Sequence, residues 1–245
     1  MKIAIVTIAI GDKFREKMHY STLSKIEYCK KHNYDFIEDD SVYDTSRPIA
    51  WSKILLMKKY LPQYDYIMWI DADAMILNFD DKIEDKLYLL NGRDVCVTSV
   101  YGMINTGVII VKNTDTSLRL LDLIYEQTEF INDGNWEQSA FIHIYENNIE
   151  NMRNCIQVAH EESRQLQCYL RGLYPSVFII HMAGFRPDFY TWLITKVFER
   201  IYPLKLPDES QERYEKRMVW FKNNIVEAIN SFYNDSPHLL FYSEF

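Results

Sequence analysis

No stretch of the chain approaches the roughly 18 to 20 uninterrupted apolar residues that a membrane-spanning helix requires. The apolar N-terminal run ends within about ten positions at Gly11-Asp12-Lys13, which suits a buried first strand and is too short for a membrane span, so no anchor or signal peptide is expected. A soluble, cytoplasmic protein is expected, and peripheral contact with a membrane is compatible with that. Cysteine is scarce: Cys29, Cys96, Cys155 and Cys168 form no CxxC pair and no zinc spacing, so four reduced thiols are expected. Glycine and proline number only seven each, and no segment is low in complexity, which excludes a disordered chain. Basic residues are also in the minority. The net charge of −8 excludes a broad nucleic-acid surface, yet leaves room for phosphate bound in one cationic or metal-filled pocket.

What is present is a core. With 48% hydrophobic residues, the 245-residue chain is long enough for one α/β domain with an appendage. Residues 2–8 read as a strand. A helix follows whose apolar positions Phe14, Met18, Leu23, Ile26 and Cys29 recur at helical spacing, and then a strand over residues 34–38. A helix over 51–60 stops at Pro62, and residues 64–70 form a third strand. Strand, helix, strand, helix, strand points to parallel α/β architecture. Further on, a helix is expected over 80–90, strands over 94–98 and 106–111, a helix from Asn113 or Thr114 to about Phe130, and another over 136–145. Short strands near Ile156 and Leu166 precede a clear strand over 177–180. Helices over 189–201 and 212–233 make residues 187–245 a helical C-terminal extension to a domain spanning 1–186.

Ligands of open α/β sheets bind beyond the carboxyl ends of strands, so polar residues there carry the functional signal. The acids of Trp69-Ile70-Asp71-Ala72-Asp73 stand at such an end, two residues apart on extended chain and therefore on one side. Together they can take a hard cation, Mn²⁺ or Mg²⁺, which also accepts phosphate oxygens. The flanking runs are apolar, so the acids form a polar island in need of a counter-charge. His181 ends another apolar strand and can add an imidazole, while Gly184 permits close backbone approach to phosphate. Asn105-Thr106-Gly107 can meet sugar hydroxyls, and Glu137 and Gln138 at a helix start can face an anomeric carbon.

Taken in order, Gly11-Asp12, Trp51-Ser52-Lys53, Asp71-Ala72-Asp73, Asn105-Thr106-Gly107, Trp136-Glu137-Gln138 and His181-Met182-Ala183-Gly184 resemble one family over about residues 2–184. This is the galactosyl-, mannosyl- and xylosyltransferase family (GMA12/MNN10-like), similar also to glycosyltransferase domains of large DNA viruses. The resemblance implies a GT-A fold, with a mixed, mostly parallel central sheet flanked by helices. It implies a nucleoside diphosphate sugar donor, UDP- or GDP-linked, a glycan acceptor, and transfer with retention. It implies Mn²⁺ held by Asp73 and His181, with Asp71 on the metal or the donor ribose and Ala72 beside it. Thr7, Ile8, Ala9 and Gly11 would receive the nucleoside, Arg47, Trp51 and Lys53 the base, ribose or phosphate, and Gln138 the sugar.

Two other readings compete. A haloacid-dehalogenase-type phosphatase also uses Asp-x-Asp after a strand, but Met75 stands where that motif wants threonine. A non-catalytic nucleotide-sugar-binding protein would carry the same fold, although intact Asp71, Asp73 and His181 speak against degeneration.

Overall fold

The structure, a computed structural model, describes residues 1–100, 102–160, 163–169, 177–183, 210–213 and 215–216. In chain order it contains β1 (Ile3–Thr7), α1 (Asp12–His32), β2 (Asp35–Glu38), α2 (Ser52–Tyr60), β3 (Tyr66–Ile70) and β4 (Ala74–Ile76). A 3-10 segment (Glu84–Leu90), β5 (Val95–Val100), β6 (Met103–Lys112), α3 (Asp115–Glu126) and α4 (Glu137–Asn147) follow. Three short strands complete it: β7 (Ile156–Ala159), β8 (Gln167–Tyr169) and β9 (Ile179–His181).

The main sheet has the order β2-β1-β3-β6-β5-β7. β2, β1 and β3 run parallel, as two strand-helix-strand crossovers require, and β7 is parallel to β5. β6 runs antiparallel to both β3 and β5, so the sheet is mixed and mostly parallel. Strand alternation sorts its side chains to two faces. Along β3, Met68 and Ile70 join the core under α1, whereas Ile67 and Trp69 join the core under α2, α3 and α4. A second sheet, β4-β9-β8, sits beside α1 and pairs Ala74 with His181.

Helix ends follow their sequence cues. α1 stops at Asn33, which takes the left-handed conformation at φ 58°, after Lys30, Lys31 and His32 in the last turn. Of the two candidate caps for α3, Thr114 does the work: its hydroxyl accepts from the Ser117 N–H at 3.1 Å, while Asn113 donates to the Tyr64 carbonyl.

Three readings change. The helix expected over 80–90 is a 3-10 segment from Glu84, because tyrosines of the α1 face take its entry: the Tyr34 hydroxyl accepts from the Ile83 N–H, and Tyr28 donates to the Asp81 carbonyl. The strand expected over 106–111 begins at Met103, so Asn105-Thr106-Gly107 lies inside a paired strand and not in a turn before it. The acids of residues 71 and 73 are followed by a strand, β4, which the apolar run 74–77 leaves unannounced. The short strands expected near Ile156 and Leu166 are β7 and β8. Cys29, Cys96 and Cys155 are buried, and burial pushes the Cys29 thiol up to about 12. The extension expected over 187–245 lies outside the described residues except for helical positions at 211–213 and 215–216. No helix among the described residues is long and apolar enough to cross a membrane.

Candidate active site

β3 ends at Ile70, and the Asp71 N–H bonds the Gly107 carbonyl of β6 at 2.7 Å. A turn closed from the Ala74 N–H to the Asp71 carbonyl at 3.0 Å then lifts both acids out of the sheet. The antiparallel pairing of β4 with β9 sets His181 opposite Ala74, and the Met182 N–H bonds the Asp73 carbonyl at 3.1 Å. Residues far apart in sequence thus meet. His181 Nε2 lies 3.3 Å from Asp73 Oδ1 and 3.8 Å from Asp71 Oδ2, and one ligand atom from each residue falls within 4.8 Å of the others. The imidazole is 2% exposed, and the two carboxylates are 27% and 30% exposed, so the cluster opens toward solvent on its acidic side.

The imidazole's tautomer follows from a chain of hydrogen bonds anchored on backbone. The Gly107 N–H can only donate, and it bonds Asn105 Oδ1 at 2.9 Å. That oxygen also accepts from Gln167 Nε2 at 3.1 Å, which turns Gln167 Oε1 toward His181 Nδ1 at 2.9 Å. Nδ1 therefore carries a proton, and Nε2 is the nitrogen that faces the two aspartates and would give its lone pair to a cation held between them. Oxygen, oxygen and imidazole nitrogen form a donor set that fits Mn²⁺ and also accepts Mg²⁺. Burial works to raise the Asp73 carboxyl, but His181 and Lys25 bring it below its ordinary value.

Gly107 has a steric task here. A Cβ at this position would lie 2.0 Å from His181 Cε1. The imidazole packs directly against the glycine, which explains a glycine inside a paired strand where it would otherwise weaken pairing.

On the other face of the sheet, α2 delivers Lys53, 4% exposed. Its ammonium donates to Glu137 Oε1 at 2.7 Å and to the Thr106 carbonyl at 3.1 Å, and it lies 3.1 Å from Asp71 Oδ1. Burial opposes the charge on Lys53, yet Asp71 and Glu137 together hold it above its ordinary value. Burial likewise raises the Glu137 carboxyl against the pull of Lys53. Trp69 Nε1 donates to Asp71 Oδ1 at 2.6 Å, so that oxygen is engaged and Oδ2 faces His181. Gln138 Oε1 accepts from the Thr106 N–H at 3.1 Å and from Asn105 Nδ2 at 3.3 Å. One network thus joins His181, Gln167, Asn105, Gln138, Thr106, Glu137, Lys53 and Asp71.

Thr7 ends β1, and Ile8, Ala9 and Gly11 follow it at the same end of the sheet, since Val6 pairs with Trp69. Ala72 lies between the acids and is 9% exposed. Arg47 and Trp51 are not joined to this network. Trp51 is fully buried with its indole N–H toward the Ile131 carbonyl, and Arg47 bonds the Tyr125 carbonyl and stacks on the Tyr125 ring at 3.9 Å. Gly184 lies outside the described residues. Among the described residues, two buried side-chain oxygens lack a partner, Thr7 Oγ1 and Glu137 Oε2, and both belong to residues at this end of the molecule.

Sequence reasoning missed Gln167 and Lys25. Gln167 sits in a segment with weak periodicity and carries no signal of its own. Lys25 did carry one: Met18, Ser21, Lys25 and Tyr28 follow helical spacing on the buried side of α1, which puts a lysine at a core position.

Residues 2–92 match the family model of the galactosyl transferase GMA12/MNN10 family. Galactomannan galactosyltransferase 1 of Cyamopsis tetragonoloba is 24% identical over 110 residues, 41% of this chain and 25% of that protein. Xyloglucan 6-xylosyltransferase 1 of Arabidopsis thaliana is 28% identical over 123 residues, 46% of this chain and 26% of that protein. The match therefore spans about a quarter of the length of these curated relatives. A solved glycosyltransferase involved in glycosylation of the major capsid of PBCV-1 superposes with a TM-score of 0.64 at 18% identity, covering 80% of this chain and 100% of that one. Over residues 2–92 the chain is similar in sequence to the galactosyl transferase GMA12/MNN10 family, and its mixed sheet has the GT-A fold.

Proposed function

We propose that the chain is a metal-dependent glycosyltransferase that moves a sugar from a nucleoside diphosphate donor to a hydroxyl of a glycan acceptor, with retention. The observation that carries this reading is the convergence of Asp71, Asp73 and Nε2 of His181 at the carboxyl end of the sheet. Asp73 and His181 would hold the cation, with Asp71 Oδ2 serving it or the donor ribose. A bound Mn²⁺ or Mg²⁺ supplies Lewis-acid neutralisation of charge on the departing diphosphate. The partnerless Thr7 hydroxyl and the loop through Ile8, Ala9 and Gly11 form the seat for the nucleoside, which would satisfy a buried oxygen.

Lys53 holds Glu137 and Asp71 in fixed positions and adds positive charge beneath the donor. With one oxygen committed to Lys53 and Thr106, Glu137 is better placed as an electrostatic support than as a nucleophile. Gln138 has its carbonyl engaged, so its amide N–H groups are the donors that remain for a sugar hydroxyl. Retention then comes from attack on the face the diphosphate leaves: the bond from the anomeric carbon to phosphate oxygen breaks, the bond to the acceptor oxygen forms, and a diphosphate oxygen takes the acceptor proton. Trp136, 43% exposed next to Glu137, offers a ring for an acceptor sugar to stack on.

The test is release of nucleoside diphosphate from UDP- and GDP-sugars with Mn²⁺. Asp73→Ala should abolish release while the thermal midpoint stays near that of the parent chain. Undiminished release in this variant, or in excess chelator, sinks the metal reading. Donor binding with no release from any donor would favour the non-catalytic binding protein instead, and a phosphate trapped covalently on Asp71 would favour the phosphatase.

A further inference from the structure

Lys25 is fully buried and comes from α1, on the face of the sheet opposite Lys53. Its ammonium donates to Ser21 Oγ at 2.8 Å and reaches the Ala72 carbonyl at 3.5 Å, directly beneath the peptide that joins Asp71 to Asp73. Among the described residues, no carboxylate lies within 4.0 Å of it. Its charge is felt by Asp73, Asp71 and Glu38, and burial pushes it down to about 7 while those acids pull it back up. Glu38 is matched by Arg15 at 3.6 Å and Asp71 by Lys53 at 3.1 Å, so among the described residues Asp73 is the acid facing Lys25 with no other lysine or arginine at ion-pair distance. The helix around it is firmly seated: Ser21 donates to the Ala74 carbonyl at 2.7 Å, and Ser24 Oγ accepts from the Ile76 N–H at 3.1 Å, which ties α1 to β4.

A buried ammonium without an ion-pair partner is a stability liability that packing alone does not explain. Charge accounting at the turn gives it a purpose. With Lys53 and Glu137 cancelling, Asp71, Asp73 and Lys25 sum to one negative charge. A bound dication reverses this to one positive charge, which calls for an anion, and a diphosphate supplies one. Without Lys25 the two carboxylates neutralise a dication by themselves. We infer that Lys25 is a positioning residue that steadies the Asp71-Ala72-Asp73 turn before the cation arrives and makes cation binding conditional on the nucleoside diphosphate. This rests on the donor reading above and goes beyond it, because it specifies how metal and nucleotide are coupled.

The experiment measures Mn²⁺ affinity at pH 6.5 with and without UDP, or GDP if that is the nucleotide bound, for the parent chain, Lys25→Met and Lys25→Arg. The parent chain should bind Mn²⁺ weakly alone and much more tightly with nucleotide. Lys25→Met should bind Mn²⁺ alone about tenfold more tightly and lose a matching factor of coupling, as Coulomb repulsion between like charges is removed. Its thermal midpoint should rise, which a purely structural lysine would not allow, and Lys25→Arg should restore the coupling. Unchanged coupling in Lys25→Met, weaker binding of Mn²⁺ alone, or a lowered midpoint overturns the inference while leaving the donor reading intact. A parent chain that binds neither Mn²⁺ nor nucleotide overturns both.

Discussion

Each face of the sheet buries one lysine against the same acidic turn, and the two behave oppositely. Lys53, from α2, meets Glu137 at 2.7 Å and Asp71 at 3.1 Å, and its charge is reinforced. Lys25, from α1, meets a hydroxyl and a peptide carbonyl, and burial brings it down to about 7. Depth is similar on both sides. What differs is whether a carboxylate stands within ion-pair distance, and that alone reverses the sign of the shift. Lys53 is therefore part of the scaffold as well as the site, whereas Lys25 is tolerated by the scaffold for the sake of the site.

Removing the better-paired lysine should have the largest effect. Lys53→Met leaves Glu137 and Asp71 buried or half-buried without their cation, and a loss of roughly 3–5 kcal/mol in unfolding free energy is expected by denaturant titration. A change below about 1 kcal/mol would place the pair among weak surface bridges and dissolve the contrast.

The amide that orients the imidazole comes next. Gln167→Leu removes the acceptor on His181 Nδ1, and Mn²⁺ affinity should fall about 10–100-fold with little change in nucleotide binding in the absence of metal. Equal loss of both would mean that Gln167 supports packing and not the tautomer.

The last effect is a slope. The Lys25 ammonium has its folded value lowered from 10.5 to about 7, so between these values the unfolded chain holds more protons than the folded one. Stability contributed by this site therefore increases as pH rises from about 7 to 10.5 and is missing below 7. Comparing the pH dependence of unfolding free energy in the parent chain and Lys25→Met should show this rise only in the parent. Identical slopes would mean that Lys25 does not titrate as a buried cation.

Much of this arrangement is readable in the linear chain. Apolar runs ending in acids mark β3 and Asp71-Ala72-Asp73, helical spacing marks α1 and α2, and the same rules that place ligands beyond strand ends select His181. These are local patterns, and burial in a sheet or helix imposes them residue by residue. The lysine at position 25 was legible too, as a charge on an apolar stripe, but its meaning was not. Arg47 and Trp51 lie close to Lys53 in sequence, yet their side chains engage Tyr125 and Ile131, contacts that sequence proximity does not reveal.

Asp71-Ala72-Asp73 needs only its own chain to place two carboxylates at a strand end, because extended backbone repeats every two residues. The cation site needs more. The pairing of β4 with β9 carries His181 to the acids, Gly107 clears room for its ring, and Gln167 chooses which nitrogen bears the proton. Those three conditions involve residues 71 to 181, brought together by strand register and close packing, and distance in space is a property no local pattern encodes.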